Sequence, residues 1–218
     1  MMIERIKKIA GQKKEQIVEV RRAIHANPEL SFEEYETCEL VSKFLKRAGI
    51  KHEKGIVKTG VVAIIEGNDP SSKTIALRAD LDALPIQETN EVSFKSKNEG
   101  KMHACGHDVH TSSLLGTALI LHELKNEFEG TVKLIFQPGE ERIPGGAKLM
   151  IEAGVLENPA PINIIGQHVY PELEAGKVGF KPGMYMASAD ELHVKVIGQG
   201  GHAALPHKTI DPILITSH

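Results

Sequence analysis

Three imidazoles and a thiol fall within eight residues of the run Met102-His103-Ala104-Cys105-Gly106-His107-Asp108-Val109-His110. Thiolate, imidazole and carboxylate are the side chains that hold zinc and related divalent ions. Cys105 and His107 stand two apart in a glycine-containing loop, a spacing that lets both reach one small site. Two adjacent carboxylates follow in Gln137-Pro138-Gly139-Glu140-Glu141, and a further imidazole in Gly166-Gln167-His168-Val169. Candidate ligands on separate segments, each at the end of an apolar run, predict a catalytic metal centre rather than a zinc finger.

Each feature also has a plainer reading. An isolated Cys-Gly-His would be a buried cysteine beside a helix-capping loop; His103, Asp108 and His110 alongside favour metal ligation. Glu140 and Glu141 follow an apolar run and a Pro-Gly turn, which favours a site over a solvated acidic loop. In an extended segment neighbours point opposite ways, so one carboxylate can bind metal while the other faces the reacting water. A metal lowers the pKa of bound water towards ~7, and a free carboxylate can pass its proton to a leaving amine. His168 alone would carry no weight.

Asp80 and Asp82, in Arg78-Ala79-Asp80-Leu81-Asp82-Ala83-Leu84-Pro85, alternate so as to share one side of an extended chain. Ligands and turn formers are alternatives, but the preferred role is to orient a ligating histidine through its other N–H. His202, in Gly200-Gly201-His202-Ala203-Ala204-Leu205-Pro206-His207, could reach a substrate oxygen if a second domain closed over the site, or be a loop histidine. A nucleophilic Cys105 activated by histidine is the competing chemistry. It leaves the paired glutamates unexplained.

These residues need a scaffold. Ile3, Ile6, Ile17, Val20 and Ile24 recur at helical intervals up to Asn27-Pro28. Ser31 with Glu34 reads as a capping box for a second helix that continues to Ala48 and stops at Gly49. Val61–Ile65 and Thr74–Leu77 are β-rich runs separated by a loop or hairpin signal at Gly67-Asn68-Asp69-Pro70. Asp108 could cap a third helix with Leu114, Leu115, Ala118 and Leu119 on its apolar face. Thr131–Phe136 and Ile162–Ile165 read as buried strands, and Gly146–Ala153 as a short helix. The expected fold is α/β, a mostly parallel sheet flanked by helices, with function in the loops after strand ends.

Around Met186 the texture changes. Glu191–Ile197 alternates polar and apolar as a half-wet strand does, and Asp211-Pro212 suggests a helix start. Residues 1–185 are therefore expected to form a metal-binding catalytic domain, and 186–218 the incomplete beginning of a second one. About thirty residues cannot bury a core of their own.

Composition excludes other classes. The 218 residues are 41% hydrophobic and 25% charged, as in an ordinary soluble globular protein. A formal net charge of −3 without a Lys/Arg block argues against a nucleic-acid partner. No apolar run approaches the roughly 18–20 residues needed to span a bilayer. The charged N-terminus is no signal peptide, and two cysteines make no disulfide framework, so a cytoplasmic location is expected.

Taken together, Arg78–Pro85, Met102–Asp108, Gln137–Glu141 and Gly200–His207 resemble the aminoacylase/carboxypeptidase family of dinuclear metallohydrolases. The resemblance is greatest to the branch of hippurate hydrolases, N-acetyl-amino-acid deacetylases and indoleacetyl-amino-acid hydrolases. Arg22-Ala23-Ile24-His25-Ala26-Asn27-Pro28-Glu29-Leu30-Ser31-Phe32 matches as well, so the likeness runs from about residue 20 to about residue 212. It implies a zinc-exopeptidase-like catalytic domain with a smaller α+β lid, through which the protein would form a homodimer.

The resemblance implies Cys105, His107, Glu141 and His168 as ligands of two divalent ions, with Cys105 the bridge between them. Zinc suits such ligands, and manganese, cobalt or nickel can occupy such mixed sites. It further implies Glu140 as general acid/base and His202 as the lid histidine that stabilises the tetrahedral intermediate. The implied reaction is hydrolysis of an N-acyl amino acid by metal-bound hydroxide. Members of this family are roughly twice this length and take a final histidine ligand from a later segment. A non-catalytic metal-binding fragment of such an enzyme is therefore a second expectation, and a Cys105 hydrolase a third.

Overall fold

The structure, a computed structural model, describes residues 2–187 and 190–218. The chain forms two compact units, Met1–Pro171 and Glu172–His218. In the first, helices α1 (Met2–Ala26) and α2 (Tyr35–Arg47) precede strands β1 (Lys51–Ile56), β2 (Gly60–Glu66) and β3 (Thr74–Asp80). Helix α3 (His107–Glu123), β4 (Thr131–Gln137), α4 (Gly146–Glu152) and β5 (Asn163–Gly166) follow.

The five strands form one sheet in the order β1-β2-β4-β3-β5. The α/β layering is as expected, and the sheet is mixed: β4–β3 and β3–β5 pair in parallel, β1–β2 and β2–β4 antiparallel. Because β4 inserts between β2 and β3, the Gly67–Pro70 segment is a crossover loop, not a hairpin turn. Alternate residues of each central strand feed opposite faces. Val61, Ala63, Ala79, Leu134 and Phe136 pack with Val41 and Leu45 of α2 and Leu114, Leu115 and Ala118 of α3. Ala76 and Ile135 join Met150 of α4 on the other face.

Three local expectations are corrected. Helix α2 begins at Tyr35 rather than beside Ser31, whose hydroxyl is taken instead by Asp82. Helix α3 has Gly106, not Asp108, at its N-cap; the Asp108 carboxylate is drawn away to Arg21 and His25. Strand β5 is exposed along its length because it lies at the sheet edge. The charged strand β1 was not anticipated.

In the second unit, α5 (Pro212–Thr216) is capped by Asp211, whose carboxylate accepts from the amides of Ile213 and Leu214. Residues 191–197 form no strand, since a strand needs a partner and among the described residues they have none. No helix among the described residues is long and apolar enough to cross a membrane.

Candidate metal centre

The three parallel strands β3, β4 and β5 end side by side, and the chemistry-bearing residues follow those ends. Asp80 closes β3 with Asp82 two residues on, Glu140 and Glu141 follow β4, and His168 follows β5. His107 opens α3, which is tied to β3 by a 2.6 Å hydrogen bond from the Thr111 hydroxyl to the Asp80 carbonyl. Gly106 between Cys105 and His107 is required twice over. Its φ is +90°, and a Cβ there would meet Val169 at 2.5 Å.

Cys105 Sγ lies 3.2 Å from His168 Nε2, and ligand atoms of Cys105, His107 and His168 fall within 4.8 Å of one another. The same holds for His107, Glu140 and Glu141, and for Asp80, His107 and His110. His107 belongs to all three groups. Its Nε2 is 3.9 Å from Glu140 and 3.8 Å from Glu141. Both carboxylates lean on one imidazole because residues 138–142 bend, so the opposite pointing expected of an extended segment does not occur.

The tautomers leave lone pairs facing this space. His107 Nδ1 donates to Asp82 at 3.2 Å, and His168 Nδ1 donates to the Val169 carbonyl at 2.8 Å. Each Nε2 is then an available ligand atom, the arrangement that orients metal-bound imidazoles. His107 Nε2 and Glu141 Oε1 are buried with no hydrogen-bond partner. Buried polar atoms are ordinarily paired, so this donor set fits a cation.

Electrostatics agree. Burial pushes the Cys105 thiol up to about 12, reinforced by Glu141, Glu140 and Asp80. A cysteine nucleophile needs the opposite environment, and a thiolate here needs a cation beside it. Burial also lowers the His107 pKa, but Asp82, Asp80 and Glu141 outweigh it and the net shift is upward. For Glu140, burial and Glu141 raise the pKa. Asp80 is buried, yet His110 and Arg78 hold it down to about 2.

Two residues support the site in ways that their sequence readings, a helix cap for Ser31 and metal ligation for His110, did not include. His110 Nδ1 donates to Asp80 at 2.7 Å, while its Nε2 accepts the Val169 amide at 2.9 Å. Ser31 donates to Asp82 at 2.6 Å, and the same carboxylate oxygen accepts the Glu141 amide at 2.9 Å. His110 stood within the metal-ligand run; Ser31 carried no such signal. His103 is buried with both ring nitrogens unpaired and stands outside the three groups. His202 lies in the second unit, where its Nδ1 accepts the Ala204 amide at 3.1 Å.

Residues 76–215, more than half of the chain, match Peptidase family M20/M25/M40. The chain belongs to this family. It is 45% identical over 215 residues to an N-acyl-L-amino acid amidohydrolase of Geobacillus stearothermophilus, covering 99% of this chain and 57% of that protein. An N-acetylcysteine deacetylase of Bacillus subtilis is 46% identical over 198 residues, covering 90% of this chain and 51% of that one. The crystal structure of the Bacillus subtilis YXEP protein, a dinuclear metal binding peptidase of family M20, aligns with a TM-score of 0.73 at 44% identity. That alignment covers 81% of this chain and 48% of YXEP. The M20 chain thus spans about half the length of the relatives it matches.

Proposed function

We propose that this M20 chain carries the metal-binding part of an amidohydrolase site that cleaves N-acyl amino acids, of the N-acetyl or hippurate type, to a carboxylic acid and a free amino acid. The observation that supports it most is the buried, unpartnered pair His107 Nε2 and Glu141 Oε1, 3.8 Å apart, next to Cys105 and His168. Cys105, His107, Glu141 and His168 would hold two divalent ions, zinc by ligand type or manganese, cobalt or nickel. Bound there, the ions supply Lewis acidity that polarises the amide carbonyl and acidifies water towards a pKa of ~7.

The chain's own residues divide the remaining work. Glu140 is half-exposed and faces the same space, so its carboxylate can take a proton from the attacking water and deliver it to the leaving amine. Asp82 keeps His107 Nε2 turned into the site, and the Asp80–His110 pair fixes the backbone beside His168. For His202, assigned to stabilise the tetrahedral oxygen, and for a homodimer through the lid, the support is the motif resemblance alone. Two free thiols suit a reducing, cytoplasmic setting.

The test is amine release from N-acetyl amino acids and hippurate with manganese, cobalt or zinc added, beside Glu140→Gln. Metal-dependent turnover that the substitution abolishes is the expected result. Metal binding without turnover would favour a non-catalytic metal-binding chain, and turnover indifferent to Glu140→Gln would overturn the mechanism.

A further inference from the structure

Glu34 is a fully buried carboxylate that the proposed chemistry does not use. It sits between α1 and α2, 105 residues before Gly139, yet its Oε1 accepts the Gly139 amide at 2.7 Å. Its Oε2 accepts the buried Thr59 hydroxyl at 2.6 Å. Gly139 is the residue immediately before Glu140 and Glu141. Its φ is +56°, and a Cβ on it would meet the Phe32 ring at 2.5 Å. Phe32 in turn holds a φ of +66°, a conformation uncommon for a bulky side chain and kept only where surroundings enforce it.

The turn is therefore pinned on both sides of Glu140. Upstream, Glu34 grips the Gly139 amide and the Gly139 carbonyl accepts the Gly146 amide at 2.8 Å. Downstream, Asp82 grips the Glu141 amide at 2.9 Å. Helix α2 begins at the residue after Glu34, so its N-terminal end favours a negative charge there. Glu34 makes no side-chain hydrogen bond to the helix itself, so both its oxygens are committed to Gly139 and Thr59.

We infer that Glu34 is a positioning residue: with Thr59 and Phe32 it sets the Gly139 backbone so that Glu140 and Glu141 present their carboxylates to the metal centre. This rests on the metal reading of that centre. Outer partners of metal ligands typically change affinity by roughly 10–100-fold when removed.

The experiment compares wild type, Glu34→Gln, Glu34→Met and Thr59→Val in the full 218-residue chain, with Mn2+ alone as the probe. Thermal melts identify which variants fold; Mn2+ affinity and the kcat and KM of N-acetyl amino acid hydrolysis are then measured. Gln can accept from Gly139 through its carbonyl and donate to Thr59, so Glu34→Gln should stay close to wild type. Glu34→Met leaves the Gly139 amide without its acceptor, and should weaken Mn2+ binding roughly 10-fold or more and lower kcat with KM little changed. Thr59→Val should move both readouts in the same direction by less, and decides the matter if Glu34→Met does not fold. Folded variants that lose only melting temperature, with Mn2+ affinity and kcat unaltered, overturn the positioning role while leaving the metal centre intact. Mn2+ binding by wild type without turnover defeats the substrate reading alone, and affinity then decides for Glu34. No Mn2+ binding by wild type defeats the metal reading and this inference together.

Discussion

The carboxylate of Asp80 and the imidazole of His110 meet at 2.7 Å, both fully buried, and the other imidazole nitrogen holds the amide of Val169. A residue at the end of β3 thereby fixes the backbone after β5, where His168 must stand. Replacing His110 by Phe keeps an aromatic ring but deletes both hydrogen bonds. Mn2+ affinity should fall roughly 10–100-fold, as for other partners behind metal ligands. Stability should fall by about 1–3 kcal/mol for the buried groups left unpaired. A Mn2+ titration with unchanged affinity would show that His168 is seated by other means.

Glu140 and Glu141 look alike in sequence and are proposed to differ in task. Glu140 is the more exposed, and Glu141 has the buried oxygen without a partner. Glu140→Gln should therefore reduce turnover by about 10²–10⁴-fold with Mn2+ affinity nearly preserved. Glu141→Gln should lose Mn2+ affinity first. Titration of both variants beside single-turnover kinetics separates the roles, and equal loss of affinity in both would merge them.

The ligand candidates were legible because few side chains bind metal: Cys105 and His107 share one short run at the start of α3, and Glu141 and His168 follow apolar strand runs. Cys105, His107 and His168 do converge, and so do the two glutamates on His107. What escaped is non-local. Ser31 and Glu34 have the spacing of a capping box, a local signal, and both side chains are spent on Asp82 and Gly139 instead. The placement of β4 between β2 and β3 is written in no short window of sequence. Strand β1, Lys-His-Glu-Lys-Gly-Ile, has no apolar alternation because it lies at the sheet edge and buries little. Strand β5 misled in the opposite sense, since its apolar run lies exposed at the other edge.

The buried Glu34 carboxylate should leave a signature in stability against pH. Burial raises its pKa above 4.5 despite the hydrogen bonds from Thr59 and Gly139. A carboxyl whose folded pKa is raised contributes stability below about 4.5 and loses it as pH rises through the folded value. Glutamine does not titrate. The melting temperature of Glu34→Gln relative to wild type should therefore increase from about pH 4.5 upwards and level off once Glu34 is ionised. A pH-independent difference between the two melting curves would show that burial does not perturb this group.

Metal should also stabilise the fold, since the unfolded chain cannot assemble proposed ligands that come from the start of α3 and from the ends of β4 and β5. Stabilisation by a bound ion follows its concentration over Kd, and reaches about 2.7 kcal/mol at 100 times Kd. For a domain of this size each kcal/mol is roughly 2–4 °C in Tm. Near-saturating Mn2+ should thus raise Tm by about 5–11 °C, and a chelator should reverse the gain. Cys105→Ala removes a partly exposed thiol with little packing loss, so its metal-free Tm should stay near wild type while most of the Mn2+ increment disappears. An increment unchanged in Cys105→Ala would place the stabilising ion away from Cys105.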